Sequence, residues 1–155
     1  MSNKQILSKE FNILKDDLIK AYDAKGMRAS GDWVDQLEVY TEDNIAILFG
    51  ADYSEQLESG RNSGKQPPVE VIEQWIYDKG IDARIEGEIT VSSLAFLIAR
   101  KIGREGWDRR DYGGVDLISD IVTPVRIQKI IDEVGDARLI EFTSEITNLL
   151  KQLNV

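Results

Sequence analysis

The sequence contains no histidine and no cysteine. These two absences remove much of the usual chemistry of enzymes. Histidine is the side chain that most often moves protons near neutral pH. Without it, and without a thiol, neither a Ser-His-Asp nor a Cys-His arrangement can be built within the chain. Zinc centres, which draw mainly on Cys and His, are nearly excluded too. No disulfide can form, which fits synthesis in a reducing cytosol. Chemistry by carboxylates, alone or with Mg²⁺, stays open.

Long apolar runs are missing as well. None approaches the roughly 20 residues of a membrane-spanning helix, so no membrane partner is expected. The stretch Met1–Gln5 has neither the apolar core nor the cleavage site of a signal peptide. Positive charge is short: the formal net charge is −9 over 155 residues. A sequence-independent nucleic-acid binder needs a basic footprint that this chain lacks overall. An acidic surface favours basic protein partners instead. At 42% hydrophobic and 30% charged residues, the composition suits one globular core. No repeat, low-complexity tract or long linker divides residues 1–155, which read as one domain.

Leu7, Phe11, Leu14, Leu18 and Tyr22 are spaced by four, three, four and four, one face of a helix that Gly26 stops. Leu37, Val39 and Thr41 then alternate with polar neighbours. After Glu42-Asp43-Asn44, the residues Ile45, Ile47 and Phe49 alternate with Ala46 and Leu48. Two such runs around a polar turn predict a β-hairpin. Its second strand is apolar on both faces, which predicts a central position or a covering helix.

All three prolines read as helix starts. Pro67-Pro68 introduce a helix with Val69, Ile72, Trp75 and Ile76 inward, closed by Gly80. Thr123-Pro124 introduce a helix with Ile127, Ile130, Ile131 and Val134 inward. Gly135 is expected to stop it, and Asp136 to cap a last helix with Leu139, Phe142, Ile146, Leu149, Leu150 and Leu153 inward. Between these, Ser92 or Ser93 caps a helix holding the unbroken apolar run Leu94–Ala99. Such a run predicts a central helix, or one packed on a neighbouring subunit. Residues 103–116, with four glycines, read as a long loop. The architecture expected is α+β: an N-terminal helix over a small antiparallel sheet, further packed helices and a helical C-terminal region. Residues 115–155 are candidates for an appended arm.

Four patterns invite a chemical reading. Gly60 to Lys65 resembles a phosphate loop, but three residues rather than four separate Gly60 from Gly64, and Gln66 replaces the Mg²⁺-binding hydroxyl. A flexible loop is the plainer reading. Acidic pairs such as Glu42-Asp43 and Asp132-Glu133 fall on faces or turns where carboxylates ordinarily solvate a surface. Trp33, Trp75 and Trp107 are candidates for a shared pocket, although Trp75 lies on a core stripe. Arg100 to Tyr112 mixes five basic with three acidic residues among aromatics. That mixture fits single-stranded nucleic acid, local packing, or a protein contact, which is favoured because Trp, Tyr and Arg dominate interface hot spots. Arg61, Arg104, Trp107, Arg109, Arg110 and Tyr112 are the subunit-interface candidates. No catalytic, cofactor-binding or metal-ligating residue is nominated.

Three stretches together resemble a known family. They are Ala51–Arg61 directly after a strand; Pro67-Pro68 with Ile72, Trp75-Ile76 and Lys79-Gly80-Ile81; and Ser93–Gly106. In this order they resemble the neck and tail-completion proteins of tailed bacteriophages, often described as minor tail components. Residues 45–106 carry most of the likeness. Val115 to Glu145 resembles versions from phages of Bacteroidetes, including crAss-like phages. Where the family often has a short basic segment with Pro and Phe, this chain has Trp107–Gly114.

The resemblance implies a long first helix over a small antiparallel sheet. It also implies a non-enzymatic virion protein, many copies of which form a ring between portal and tail. The ring's neighbours would be portal, neck or tail proteins, with DNA only as cargo in its lumen. Two other readings stay open: a small cytosolic adaptor or regulator, and a Mg²⁺-dependent carboxylate hydrolase.

Overall fold

The computed structural model describes residues 1–108 and 116–153. The fold is α+β. Helix α1 (Asn3–Ala24) starts on a reciprocal cap: the Ser2 hydroxyl accepts from the Gln5 amide, and the Gln5 side chain accepts from the Ser2 amide. Its inward residues include Leu7, Leu14, Leu18 and Tyr22, as the spacing predicts. Gly26, at φ +65°, turns the chain after it.

Strands β1 (Glu38–Glu42) and β2 (Ile45–Phe49) form the expected hairpin, with Val39 opposite Leu48 and Tyr40 opposite Ile47. Helix α1 lies against it. Period-two geometry puts Val39, Thr41, Ala46 and Leu48 on the half-buried face. Tyr40, Ile45, Ile47 and Phe49 occupy the other face and are exposed. The expectation of cover therefore holds on one face only, because the sheet has two strands and, among the described residues, no second layer.

The main core gathers Leu18, Tyr22, Met27, Trp33, Leu37, Ala51 and Leu117. Trp33, on the short helix α2 (Asp32–Asp35), is 2% exposed and stacks on Tyr22 with ring centroids 4.6 Å apart. Its indole N–H donates to Ser54 Oγ at 3.0 Å. Trp33 is thus a core residue, and neither Trp75 nor Trp107 belongs to its cluster.

Helix α3 (Ser54–Ser59) leads into the two-residue strand β3 (Gly60–Arg61). Helix α4 (Val69–Asp78) starts after Pro68 and closes before Gly80. A 3₁₀ turn (Asp82–Arg84) leads to α5 (Val91–Glu105). The cap of α5 is Thr90 rather than Ser92 or Ser93, its hydroxyl accepting from the Ser93 amide at 3.1 Å. Helices α4 and α5 pack on each other, with Ile76, Ala95 and Ala99 fully buried.

Helix α5 is not a central helix. Phe96 and Leu97 are 48% and 50% exposed, because only the small-residue face of the apolar run meets α4. Trp75 also departs from expectation, at 39% exposed. The long loop expected over residues 103–116 is not one at its start: α5 runs to Glu105, and Trp107–Asp108 form strand β4, paired with β3. Residues 109–115 lie outside the described residues.

Helix α6 (Pro124–Leu153) starts as expected, with Thr123 Oγ1 accepting from the Arg126 amide at 3.2 Å. It does not stop at Gly135. A glycine inside a helix costs only about 1 kcal/mol relative to Ala, and Glu133 before it with Ala137, Arg138 and Leu139 after it are good helix formers. Asp136 therefore lies mid-helix rather than at a cap. Ile130 is buried against Leu7 and Leu14, with Ile127 and Val134 beside it, whereas Ile131 faces out. Arg126 meets Asp17 at 2.6 Å and Lys9 meets Glu133 at 3.7 Å, so α6 runs antiparallel to α1. Going eight residues back on α1 advances seven on α6, which sets the Ser2 cap opposite about residue 140. Beyond that point nothing among the described residues lies under α6, and residues 139–153 are exposed throughout. The inward placement expected for Leu139, Phe142, Ile146, Leu149, Leu150 and Leu153 is overturned for that reason.

Candidate interaction surfaces

Three regions collect the residues that sequence singled out or that the fold leaves uncovered. The first is the junction of β3, β4 and the end of α5. Arg61 pairs in register with Trp107, and Arg104 lies in the last turn of α5 just before them. The structure thus brings three interface candidates into one neighbourhood. Arg109, Arg110 and Tyr112 lie outside the described residues. Arg61 donates to the Lys65 carbonyl at 2.6 Å, holding the 61–65 loop closed. The Gly64 amide is bonded to the Gly103 carbonyl at 2.9 Å, so this loop amide is already used within the chain.

Glycine makes that junction sterically possible. A Cβ on Gly106 would sit 2.3 Å from the Arg61 carbonyl, and one on Gly60 would sit 2.0 Å from the Trp107 carbonyl. Both glycines also have φ in the left-handed half, +70° and +99°. The two backbones approach closer than any side chain permits. Sequence reasoning read these glycines as loop flexibility; their role is close packing.

The second region is the outer face of the hairpin, where Tyr40, Ile45, Ile47 and Phe49 are exposed between Glu38 and Glu42. The Tyr40 hydroxyl donates to Glu42 at 3.0 Å. The third is the overhanging part of α6. Leu139, Phe142, Ile146, Leu149 and Leu153 follow steps of three, four, three and four, a continuous stripe along one side. Leu139 is 64% and Leu153 79% exposed.

The polar sites inside the fold are structural. The Glu58 carboxylate accepts from the Ile118 amide, from the Ser119 amide at 3.1 Å and from the Ser119 hydroxyl. Burial raises its pKa, but these donors outweigh burial and hold it below the ordinary carboxylate value. Glu58 so fixes the turn that delivers Leu117 to the core. Tyr53 donates to Asp32 at 2.8 Å; burial first, then that bond, raises its pKa.

An open cavity of about 480 Å³ lies between α1, β2 and residues 118–127. Its lining, from Phe11 and Trp33 to Phe49 and Ile127, has no titratable side chain, and the Ser54 hydroxyl in it already donates to the Ala51 carbonyl. Among the described residues, no three acidic side chains converge as a metal site requires, and no helix is long and apolar enough to cross a membrane. In comparisons with known proteins, no family model, no curated protein and no solved structure matches this chain.

Proposed function

We propose that the chain is a non-enzymatic assembly protein, working as a ring of identical copies at the head–tail junction of a tailed phage. The observation that carries this reading is the amount of large apolar surface left without cover. The hairpin's outer face, Phe96 and Leu97 on α5, and the whole stripe of the α6 overhang are exposed together. Contiguous apolar patches of this kind mark protein contacts. The sequence resemblance adds the class of assembly, and the long α1 over a small antiparallel sheet agrees with what that resemblance implies. A net charge of −9 suits a conduit that must not retain the DNA it conducts.

The test is the solution mass of the purified chain by light scattering, with mass spectrometry of intact particles. A ring-sized mass, or a few to a dozen copies per particle, is the expected result. A monomer absent from particles overturns the reading and favours a cytosolic adaptor that docks one partner.

A further inference from the structure

We infer that the α6 overhang of one copy seats on the outer face of the β1–β2 hairpin of the next copy. This rests on the assembly reading and specifies its contact. Both surfaces present large apolar side chains uncovered among the described residues of the same chain, with Glu38 and Glu42 at the two ends of the hairpin's face. The hairpin's bare face, with Tyr40, Ile45, Ile47 and Phe49, carries larger side chains than the face already under α1, with Val39, Thr41, Ala46 and Leu48. Helix α1 shows what such a hairpin accepts: a helix with large residues stepped by three and four. The overhang presents that same pattern. The stripe from Leu139 to Leu153 is about 21 Å long, and a five-residue hairpin is about 17 Å, so the helix covers the sheet. The seated helix completes a helix–sheet–helix sandwich whose second helix comes from a neighbour.

Arm-on-hairpin contact is heterologous: each copy gives one surface and receives on another. Such contacts propagate, and they close into a ring when the rotation allows. A coiled coil between two overhangs would use one surface on both copies and end at a pair. The overhang also has only about two heptads, fewer than a self-sufficient coiled coil sustains. The half-exposed side chains of one arm and one hairpin amount to on the order of 700–800 Å² of apolar surface, below the roughly 1,200 Å² at which specific pairs begin. Open pairs are therefore weak, and closure, which leaves no arm free, holds the assembly together.

The absence of native cysteine makes the test clean. The full chain carrying both Tyr40→Cys and Ile146→Cys is treated with a short bismaleimide. The expected product is a ladder of covalent oligomers, absent from either single variant. Ile146→Glu and Ile45→Glu should each reduce a ring-sized mass to a monomer that keeps its fold by circular dichroism, since both side chains are exposed in the single chain. Mixing the two at high concentration should give a weak heterodimer and nothing larger, because one intact contact remains without closure. Dimers from Ile146→Cys alone overturn the inference in favour of arm-to-arm pairing. A wild-type oligomer that survives Ile146→Glu overturns it and leaves the assembly reading standing. A wild-type monomer overturns the contact, and the assembly reading with it when the chain is also absent from particles.

Discussion

Arg126 on α6 donates a 2.6 Å hydrogen bond to Asp17 on α1, 109 residues earlier in the chain. With Lys9 and Glu133 it sets the register of the two longest helices. The Arg126 bond is the main cause holding the Asp17 carboxyl below its ordinary pKa. A depressed folded-state pKa contributes stability above the unfolded value and loses it as pH falls through the folded value. Arg126→Ala should remove that component, flattening stability against pH below about pH 4. Both side chains are partly exposed, so the loss at neutral pH stays under about 1 kcal/mol. Thermal melts across pH, with and without salt, check this.

Glu58→Gln should cost more. The amide keeps one acceptor oxygen, while the Ile118 and Ser119 donors lose a carboxylate that serves them together. A loss of about 1–3 kcal/mol is expected from weakened charge-assisted bonds. Glu58 has a lowered pKa, so its contribution also vanishes in acid, and the variant should differ least from wild type there. Urea unfolding at pH 7 and pH 3 measures both.

One substitution should have opposite signs at two glycines. Gly106→Ala places a Cβ 2.3 Å from the Arg61 carbonyl, on a backbone at φ +70°. It should destabilise by about 2 kcal/mol or more, since neither the strain nor the clash with backbone is relieved locally. Gly135→Ala meets open space within α6 and should stabilise by about 0.5–1 kcal/mol. Melting temperatures of the two variants settle it.

Ala99→Leu tests the α4–α5 pair. Ala99 is fully buried where α5 meets α4. Forcing a larger side chain there should cost about 1–3 kcal/mol. Phe96→Ser, on the exposed side of the same helix, should leave stability within about 0.5 kcal/mol.

Much of this was legible in the sequence because local pattern and tertiary use agree. The four-and-three steps from Leu7 to Tyr22 mark α1, and the alternation around Asp43-Asn44 marks the hairpin. Pro68 and Thr123-Pro124 mark two helix starts. The misses share a cause. Gly135-Asp136 has the chemistry of a stop followed by a cap, yet helical residues on both sides outweigh one glycine. The β3–β4 pair has two residues per strand, too few for any periodicity, so Arg61 and Trp107 meet without a local signal. A stripe shows which residues share a face, not whether anything covers it. Hence the apolar sides of α5, β2 and the end of α6 read as buried and are exposed. Of the nominated interface residues, Arg61, Arg104 and Trp107 fall together at one junction.

The unbroken course of α6 through Gly135 makes the arm's aim a matter of helical phase. One end is keyed to α1 by Arg126 and Glu133, and the other presents the stripe from Leu139 onward. A single residue inserted between them would leave every stripe residue in place along the arm. It would rotate the whole stripe by about 100° around the axis, so that an intact hydrophobic surface points the wrong way.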